Sequence, residues 1–454
     1  MLAALSLALA AGAALPPALT LDDALAQAAR ASGDVELART QALAAAADVY
    51  GSYAGVLPRL DLSAGFGHDF VGARSTVAAF PTSIDPTTGQ PVFEQRVVAI
   101  PPTDNPDYSL GLTLQLPIFD GGRSWRTIRR AEAAVRGAER SLDEATLTVA
   151  FEVTRRFYEV VKAAESLRVL EETVSRSAEI VRRAEALFEA GRGSRADVLT
   201  ARGNLGNDRV SVEQQRARVA QTQADLAQAI GRDLAEPFTA VPPSELGGAA
   251  RPAEEEPPDV AALVAVARRE RPLLASQGEA VRASEIGEDV ARGAYSPVVS
   301  AQASYNRQGP TFSGHDGVYG DPSRQYVANA GVVVQWNLFN GRQTAADVQR
   351  AALATRRARV QAAQAGQQVA AEIARARANV IALARAASIA SDNLGIAEQG
   401  VSLARERLLA GAASQLEVRD ANLKLTQAQL QLVEARVDHA VARADLRRAV
   451  GGRM

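Results

Sequence analysis

The chain of 454 residues is longer than one hydrophobic core, which stops growing at roughly 250 to 300 residues, so we expect two domains, a repeat or an elongated fold. Apolar residues make up 47% of the sequence and aromatic residues only 5%, and this alanine-rich composition favours closely packed long helices. A net charge of −2 argues against nucleic-acid binding, and the absence of cysteine excludes disulfides, thiolate metal sites and a lipidated N-terminal cysteine.

The first segment, from Met1 to Leu21, carries no charge and consists mainly of leucine and alanine. It resembles the apolar core of a secretory signal peptide, with Ala11-Gly12-Ala13 or Pro16-Pro17-Ala18 as the cleavage site, although a basic n-region is missing. The two prolines cut the run short of the roughly 20 residues of a spanning helix, so we favour a signal peptide over an N-terminal membrane anchor. No other uncharged apolar run approaches that length, so membrane insertion must use strands.

A helical stretch and two strands are predicted next along the chain. Residues 21–53 are alanine-rich and are expected to be helical. Apolar side chains then alternate with small or polar ones over 60–66 and 108–118, which predicts two strands. The stretch between them, 71–107, is rich in proline, glycine and polar residues, so we expect a loop that faces the exterior.

The proline-free tract after Pro117 is predicted to be a long helix. Its apolar residues recur with alternating steps of three and four, which is the heptad seam of a coiled coil: Ile128, Ala131, Val135, Ala138, Leu142, Ala145 and Val149. From Arg123 to about Ala190 the only helix breaker is Gly137, so this helix would be roughly 100 Å long at 1.5 Å per residue.

The second half of the chain repeats the first at a single offset of 220 residues. Three correspondences share this offset: 116–121 with 336–341, Ala190-Gly191 with Ala410-Gly411, and Gly231 with Gly451. The second half also has strands at 299–305 and 326–338, an exterior loop at 308–324 and its own heptad seam: Ala387, Ala390, Leu394, Ala397, Val401, Ala404 and Leu408. This self-similarity predicts a tandem duplication.

The duplication suggests the organisation of the whole chain. We expect a signal peptide over 1–18, a first repeat over 19–230, a proline-rich surface linker over 231–258 and a second repeat over 259–454. Each repeat would contain a helix, a β-hairpin and a long helical hairpin, the last two at 56–119 and 123–230 in the first repeat and at 297–339 and 342–450 in the second.

The predicted strands have the length and the apolar face of a membrane-spanning barrel. A half-buried sheet in a soluble domain has the same period, so the strands alone leave both interpretations open. Four strands cannot close a barrel, and an open edge in lipid would leave backbone groups unpaired. If the strands lie in a membrane, several chains must contribute, and three chains would give twelve strands.

In the order and common offset of these motifs the chain resembles the TolC-like outer membrane efflux protein family, or outer membrane factors, over nearly its whole length after the signal segment. The resemblance rests on the duplicated plan, on 116–122 with its partner 338–341, and on the turns at 191–199 and 411–418. It implies a mainly α fold with a membrane β-barrel. Members of the family are homotrimers, in which a twelve-stranded barrel in the outer membrane lipid continues into a twelve-helix α-barrel across the periplasm.

The function implied by the resemblance is passive export. Members of the family are ducts that dock through a periplasmic adaptor protein on an inner-membrane pump, in tripartite efflux or type I secretion systems. We do not expect an enzyme or a cofactor, because the sequence shows no nucleophile, phosphate loop or metal-ligand spacing: His68, His315 and His439 lie far apart. The alternative is a periplasmic coiled-coil adaptor or scaffold that forms no channel, which would not need two matched β-hairpins.

Two groups of residues are candidates for junctions and partner contacts. The strand-to-helix junctions are expected at Phe119, Gly121, Phe339 and Gly341. The resemblance places adaptor contacts at the tips of the helical hairpins: Gly191, Arg192, Ser194, Gly411, Ala412 and Ser414. An ordinary capped helix turn, with the two serines as N-caps, explains the same tip residues without a partner.

The resemblance also implies a pore constriction. Aligned on Gly411, Glu417 and Asp420 match the acidic pair that forms pore rings in the family, and Asp197 matches a further acidic residue near that entrance. Threefold symmetry would place six carboxylates around a narrow opening that attracts cations. The alternative is that Glu417 and Asp420 only favour the helix N-terminus after Ser414 through its dipole.

The contacts that would close this entrance are not those of the family. Where the family pattern has a tyrosine and an arginine that hold the entrance shut, this chain has Leu408 and Ala413. Arg192 and Arg195 are then the only nearby basic residues expected to take part in closure. The sequence does not identify the cargo.

Overall fold

The computed structural model describes residues 17–233, 238–243, 256–321 and 326–452. The predicted signal peptide therefore lies outside the described residues except at Pro17 and Ala18. In chain order the strands and α-helices are β1 Ala18–Leu19, α1 Leu21–Ala31, α2 Gly33–Ser52, β2 Arg59–Val71, β3 Arg74–Ile84, β4 Pro91–Ile100, β5 Thr103–Phe119, α3 Arg123–Glu189, α4 Arg195–Ala229, β6 Thr239–Ala240, α5 Val260–Glu270, α6 Pro272–Arg292, β7 Val298–Gly309, β8 Thr311–Gly314, β9 Gly317–Gly320, β10 Tyr326–Gln335, α7 Gln343–Leu409 and α8 Gln415–Val450.

These elements fall into two compact units, and each unit combines segments of both sequence repeats. Among the described residues, a helical unit contains those up to 46, within 133–282 and from 356 onward, and a strand unit contains those within 47–132 and 283–355. The units cut across the repeats because strands of one repeat pair with strands of the other. Helices of the two repeats also bond to each other within the helical unit.

The strand unit holds a four-stranded antiparallel sheet in the order β10-β7-β5-β2. All four strands predicted from alternating side chains are confirmed, although β10 ends at Gln335, before the predicted limit of 338. The two repeats meet where β5 pairs with β7, with Leu112 opposite Tyr305. This order leaves β2 and β10 as the two edges of the sheet.

The prediction that 71–107 is a loop is wrong as to its structure, because most of this stretch forms a further pair of strands. β3 and β4 pair antiparallel, with Arg74 opposite Ile100 at one end. The prolines do not prevent pairing because they lie where a strand tolerates them, Pro81 at a register shift and Pro91 at the first residue of β4. In the second repeat, β8 and β9 likewise pair within the predicted loop.

The helical predictions are confirmed, with a break in each of the shorter stretches. The stretch at 21–53 divides into α1 and α2 at Ser32, and the helix predicted at the start of the second repeat divides into α5 and α6 at Arg271. α1 begins with a capping box between Thr20 and Asp23, which satisfies N–H groups that the helix leaves free. α3 and α7 each contain 67 residues, which is about 100 Å of helix.

Alanine dominates the packing of the long helices. On α7 the seam alanines Ala387, Ala390 and Ala404 are each at most 8% exposed. By length and composition alone α7 has a stretch apolar enough to cross a membrane, the one such helix among the residues described here. Alanine supplies much of that apolar character, and alanine at seam positions also lets helix backbones approach closely.

The core of the helical unit includes part of the linker between the repeats. Leu19, Phe157, Leu226 and Phe238 are each at most 5% exposed and belong to one cluster. β1 pairs in parallel with β6, which fixes the linker strand beside the start of the chain. The prediction of a linker confined to the surface is therefore wrong at 238–240, where the aromatic ring of Phe238 is buried with the helices.

A buried arginine connects helices of both repeats in the same unit. Arg271, at the break between α5 and α6, is 3% exposed, and its Nε and Nη2 donate to the Glu144 carboxylate at 2.8 to 3.1 Å. Its Nη1 donates to the carbonyls of Arg448 and Ala449 at 2.9 and 2.8 Å. Those carbonyls lie in the last turn of α8, so Arg271 satisfies acceptors that a helix C-terminus leaves unpaired.

Candidate entrance site at the hairpin tips

Two turns of the same geometry close the helical hairpins, one in each repeat. Gly191 follows α3 with a φ of +69°, and Gly411 follows α7 with a φ of +73°. In each turn the next N–H donates back to the last helical turn at 2.8 Å: Arg192 to the Leu187 carbonyl and Ala412 to the Arg407 carbonyl. Glycine adopts this left-handed backbone without strain, so the path of the chain itself requires both glycines.

In the first tip the carboxylate of Asp197 belongs to a helix cap. Ser194 is the N-cap of α4, and its hydroxyl oxygen accepts the N–H of Asp197 at 3.1 Å. The Asp197 carboxylate accepts in return the Ser194 hydroxyl at 2.8 Å and the Ser194 N–H at 3.1 Å. Both bonds lower the pKa of the Asp197 carboxyl, and the bond from the Ser194 hydroxyl has the larger effect. A capping box therefore accounts for both residues without a partner.

In the second tip Glu417 stands at the equivalent position, but its carboxylate makes a different contact. Ser414 caps α8 and accepts the Glu417 N–H at 3.3 Å. The Glu417 carboxylate accepts a hydrogen bond from the guanidinium of Arg407, which also donates to the carbonyl of Ala412 at 3.2 Å. The acidic side chain thus ties the start of α8 to the end of α7.

Arg407 is the functional candidate that sequence reasoning misses. Arg192 and Arg195 remain predicted candidates for closure of the entrance, and the structure adds a third basic residue near the candidate carboxylates, since Arg407 contacts Glu417 directly. A signal was present in the sequence: Arg407 and Glu417 flank the turn glycine at Gly411, and a short turn between antiparallel helices brings the flanking residues together.

Asp420 lies one turn further along α8 and also has a basic partner. The ammonium of Lys424 is 2.7 Å from its carboxylate. Glu417 and Asp420 line one groove between α7 and α8, whereas Asp197 lines a different groove between the first tip and the start of α8. The structure therefore brings Glu417 and Asp420 together but does not add Asp197 to them.

A largely buried ion pair joins the two helical hairpins behind the tips. Arg419 of α8 donates from both terminal nitrogens to the carboxylate of Asp208 on α4, at 3.0 and 3.1 Å. Their side chains are only 14% and 12% exposed. Ser177 of α3 donates to the same carboxylate at 2.5 Å and accepts from Arg419 at 3.1 Å. We call these three residues the hairpin clamp.

A second polar layer lies further from the tips, one turn from the clamp along α3 and about two turns from it along α8. The hydroxyls of Thr173 on α3 and Thr426 on α8 are 2.9 Å apart. Arg176 donates to both hydroxyls, at 2.8 and 3.1 Å, and to Gln429 at 3.3 Å. Burial lowers the pKa of the Arg176 guanidinium. The two hairpins are therefore joined by polar contacts near the tips as well as by apolar packing.

The predicted strand-to-helix junctions differ between the repeats. Phe119 is the last residue of β5, and Gly121 turns toward α3 with a φ of +74°. A Cβ on Gly121 would lie 2.6 Å from the Cβ of Ser296, so close packing also requires glycine there. In the second repeat β10 ends at Gln335, so Phe339, which is 82% exposed, lies beyond the strand, and Gly341 has a φ of +64°.

The long helices begin with matched caps that the sequence analysis does not identify. The carboxylate of Asp120 accepts the N–H and the hydroxyl of Ser124, at 2.7 and 2.5 Å, at the start of α3. The side-chain oxygen of Asn340 accepts the N–H of Thr344 at 3.4 Å at the start of α7. Both residues stand three positions before the first helical residue, at equivalent places in the repeats, and their side-chain oxygens satisfy an N–H group that the start of a helix leaves free.

A family model described as outer membrane efflux protein matches residues 24–232 and 263–452, which covers most of both repeats. The chain belongs to the outer membrane efflux protein family. This confirms the resemblance inferred from the duplicated motifs and the mainly α, tandem-repeat fold. As an outer membrane efflux channel, the protein is located in the outer membrane and extends into the periplasm.

Solved structures of outer membrane channels share the fold of this efflux protein. The CmeC channel of Campylobacter jejuni has a TM-score of 0.74 and 19% identity, with 95% of this chain and 85% of that chain covered. CusC has a TM-score of 0.77 and 17% identity, with coverages of 95% and 92%. The open-state MtrE channel of Neisseria gonorrhoeae has a TM-score of 0.72 and 17% identity, with coverages of 95% and 89%.

A curated relative shares part of the sequence. Protein CyaE of Bordetella pertussis is 27% identical to this efflux protein over 236 residues, which is 51% of this chain and 47% of the relative. The match thus spans about half the length of each protein.

Proposed function

We propose that three copies of this efflux channel close one duct across the outer membrane, and that the duct passively exports substrates delivered by an inner-membrane pump. A periplasmic adaptor protein would join the duct to the pump, in a tripartite efflux or type I secretion system. The observation that carries this proposal is the open sheet of the strand unit, since β2 and β10 are left as edges.

The edge strands indicate that other copies complete the sheet. Unpaired N–H and C=O groups along a long edge strand are templates for pairing with another chain, and they cannot stand unpaired in lipid. β2 contains 13 residues and β10 contains 10, enough to cross the apolar layer as tilted strands. Three four-stranded sheets joined edge to edge would give a closed barrel of twelve strands.

The exposed faces of the edge strands suit a lipid environment. Leu60 and Leu62 on β2 are 63% and 71% exposed, and Val332 and Val334 on β10 are 63% and 65% exposed. In water this apolar area would be unfavourable by roughly 25 cal/mol per Å², and contiguous exposed apolar area marks an interaction surface. Hydrocarbon lipid tails remove that penalty.

Exposed leucines beside the turns support an adaptor contact at the hairpin tips. Leu409 and Leu416 flank the second turn and are 79% and 74% exposed, and Leu199 in the first hairpin is 60% exposed. A capped turn alone needs Ser194 and Ser414 but gives no reason for large apolar side chains in water. We therefore propose that both tips form the adaptor-contact surface.

The same tips are the proposed periplasmic entrance. Glu417 and Asp420 line one groove near the second tip, and Asp197 lies at the first tip. We propose that Glu417 and Asp420 narrow the opening and that Asp197 contributes mainly as a helix cap, because two bonds from Ser194 already engage its carboxylate.

Two measurements test the proposal. The mass of cross-linked protein in mild detergent should equal three chains, and a stable monomer in lipid would contradict the shared duct. Purification of the protein from its native membranes should also recover an inner-membrane pump, and Leu409→Ser with Leu416→Ser should reduce that recovery without changing the trimer. Loss of the trimer in the variant would contradict a role confined to the adaptor.

A further inference from the structure

Each carboxylate proposed to line the entrance has a basic partner in its own chain. Arg407 donates to Glu417 across the tip turn, and Lys424 lies 2.7 Å from Asp420 on α8. In the second pair the acid precedes the base by four residues, which is the favourable orientation on a helix. The carboxylates therefore do not need another copy of the chain, or a bound cation, to balance their charge.

The whole second tip is close to electrically balanced. Residues 405–424 contain four basic and three acidic side chains: Arg405, Arg407, Arg419, Lys424, Glu406, Glu417 and Asp420. One of the four, Arg419, is engaged by Asp208 in the hairpin clamp. The Arg407 and Lys424 pairs are exposed and add little stability. A base within a few Å nevertheless cancels most of the field that a lone carboxylate would project into an opening.

Comparison of the repeats shows that duplication alone does not produce this pairing. In the first repeat Leu187 stands at the position of Arg407, and Asn204 at the position of Lys424. There the acidic side chain Asp197 folds back onto its own helix cap. At these two positions the bases occur only in the repeat that carries the two entrance carboxylates.

We propose that Arg407 and Lys424 determine the charge selectivity of the duct by neutralising Glu417 and Asp420 at its entrance. The inference rests on the proposed function, in which these carboxylates line the entrance. A ring of free carboxylates would favour cations and bind multivalent ones. Paired with bases, the same ring passes anionic and neutral cargo as readily as cationic cargo and offers no uncompensated site to a multivalent cation.

The test replaces both bases by the residues that the first repeat already carries at the equivalent positions, Arg407→Leu with Lys424→Asn. The first tip forms the same turn with Leu187 and Asn204, so the variant is expected to fold, which circular dichroism and cross-linked mass verify. In planar bilayers the wild-type K⁺ to Cl⁻ permeability ratio should be within about twofold of unity. The variant should raise that ratio at least about fivefold and be half-blocked by about tenfold less hexaamminecobalt(III).

A matched control removes the same charge away from the tips. Arg168→Leu with Arg216→Leu breaks exposed ion pairs on α3 and α4, about 30 Å along the helices from the first tip at 1.5 Å per residue. This control should leave the permeability ratio and the block unchanged. A change equal to that of the tip variant would overturn the inference, because net charge alone would then set selectivity.

A further variant separates failure of the inference from failure of the proposed entrance. Strong cation preference in the wild type, unchanged by loss of Arg407 and Lys424, overturns the inference. If Glu417→Gln with Asp420→Asn then abolishes that preference, the carboxylates line the entrance without compensation and the proposed function stands. If Glu417→Gln with Asp420→Asn also leaves the ion preference unchanged, the carboxylates do not line the entrance and that part of the proposed function is wrong.

Discussion

Replacing Arg419 by leucine should reduce the free energy that holds the two helical hairpins together by about 3 kcal/mol. The magnitude follows from burial, because the Arg419 and Asp208 side chains are only 14% and 12% exposed. Removing one member of a fully buried pair leaves the other charge uncompensated, which costs about 3–5 kcal/mol, and this pair keeps a small exposed fraction. We expect the lower end of that range, since Ser177 would still donate to Asp208 at 2.5 Å.

The duplication supplies matched residues for a double-mutant cycle. Leu199 stands at the position of Arg419 in the other repeat, and Ala428 stands at the position of Asp208. Arg419→Leu alone should therefore be more destabilising than Asp208→Ala with Arg419→Leu, because the double variant removes the buried charge together with its partner. Recovery in the double variant would identify charge burial, rather than lost side-chain packing, as the cause.

Amide hydrogen exchange, measured on peptides from α4, reports how often this contact opens. A loss of about 3 kcal/mol corresponds to exchange roughly a hundredfold faster around Asp208, where opening of the hairpin contact exposes the amides. Peptides from the sheet should be unaffected. An acceleration below about threefold in Arg419→Leu would refute the reasoning, because the pair would then behave like an exposed ion pair worth at most about 1 kcal/mol.

Three further predictions address the turns and a half-buried histidine. Gly121→Ala should lower the midpoint temperature of unfolding, because alanine at a φ of +74° is strained by about 1–2 kcal/mol. The control Gly67→Ala places no atom within 4 Å of the new Cβ and should leave that temperature unchanged. In Glu417→Asp the shorter carboxylate should bond to the helix cap instead of to Arg407. Arg407 should then react faster with phenylglyoxal, as peptide mass spectrometry would show, and an unchanged rate would contradict this. Burial, and then the charge of Arg443, lower the pKa of His439, so the unfolded chain binds that proton more readily and stability should fall as pH drops through about 6.5. His439→Gln should therefore lose less thermal stability than the wild type between about pH 7.5 and 5.5, and equal losses would exclude His439 as the cause.

The architecture was predictable because its signals are local and periodic. Alternation with period two identifies β5, and steps of three and four identify α3, since both patterns arise from which face of one element is buried. β3 and β4 could not be recognised in the same way. Pro81 and Pro91 indicate a loop unless their place in the pairing register is known.

The contacts of the site depend on pairs that are distant in sequence. The turn glycine Gly411 and the N-cap Ser414 were predictable from residue type and spacing alone. The pairing of Asp208 with Arg419 was not, because the two residues come from different repeats and meet only when the hairpins pack. Phe238 was missed for a similar reason, since its burial depends on the pairing of β1 with β6.

The central claim is that the edges of the sheet are completed by other copies of the chain, and disulfide formation tests it most directly. The natural sequence contains no cysteine, so one cysteine at Ser63 in β2 can be combined with a second scanned along β10 without background. Oxidation should link chains into species of up to three, with efficient positions alternating along β10 because side chains alternate between faces. Absence of intermolecular disulfides at every scanned position in folded, membrane-inserted protein would contradict the account.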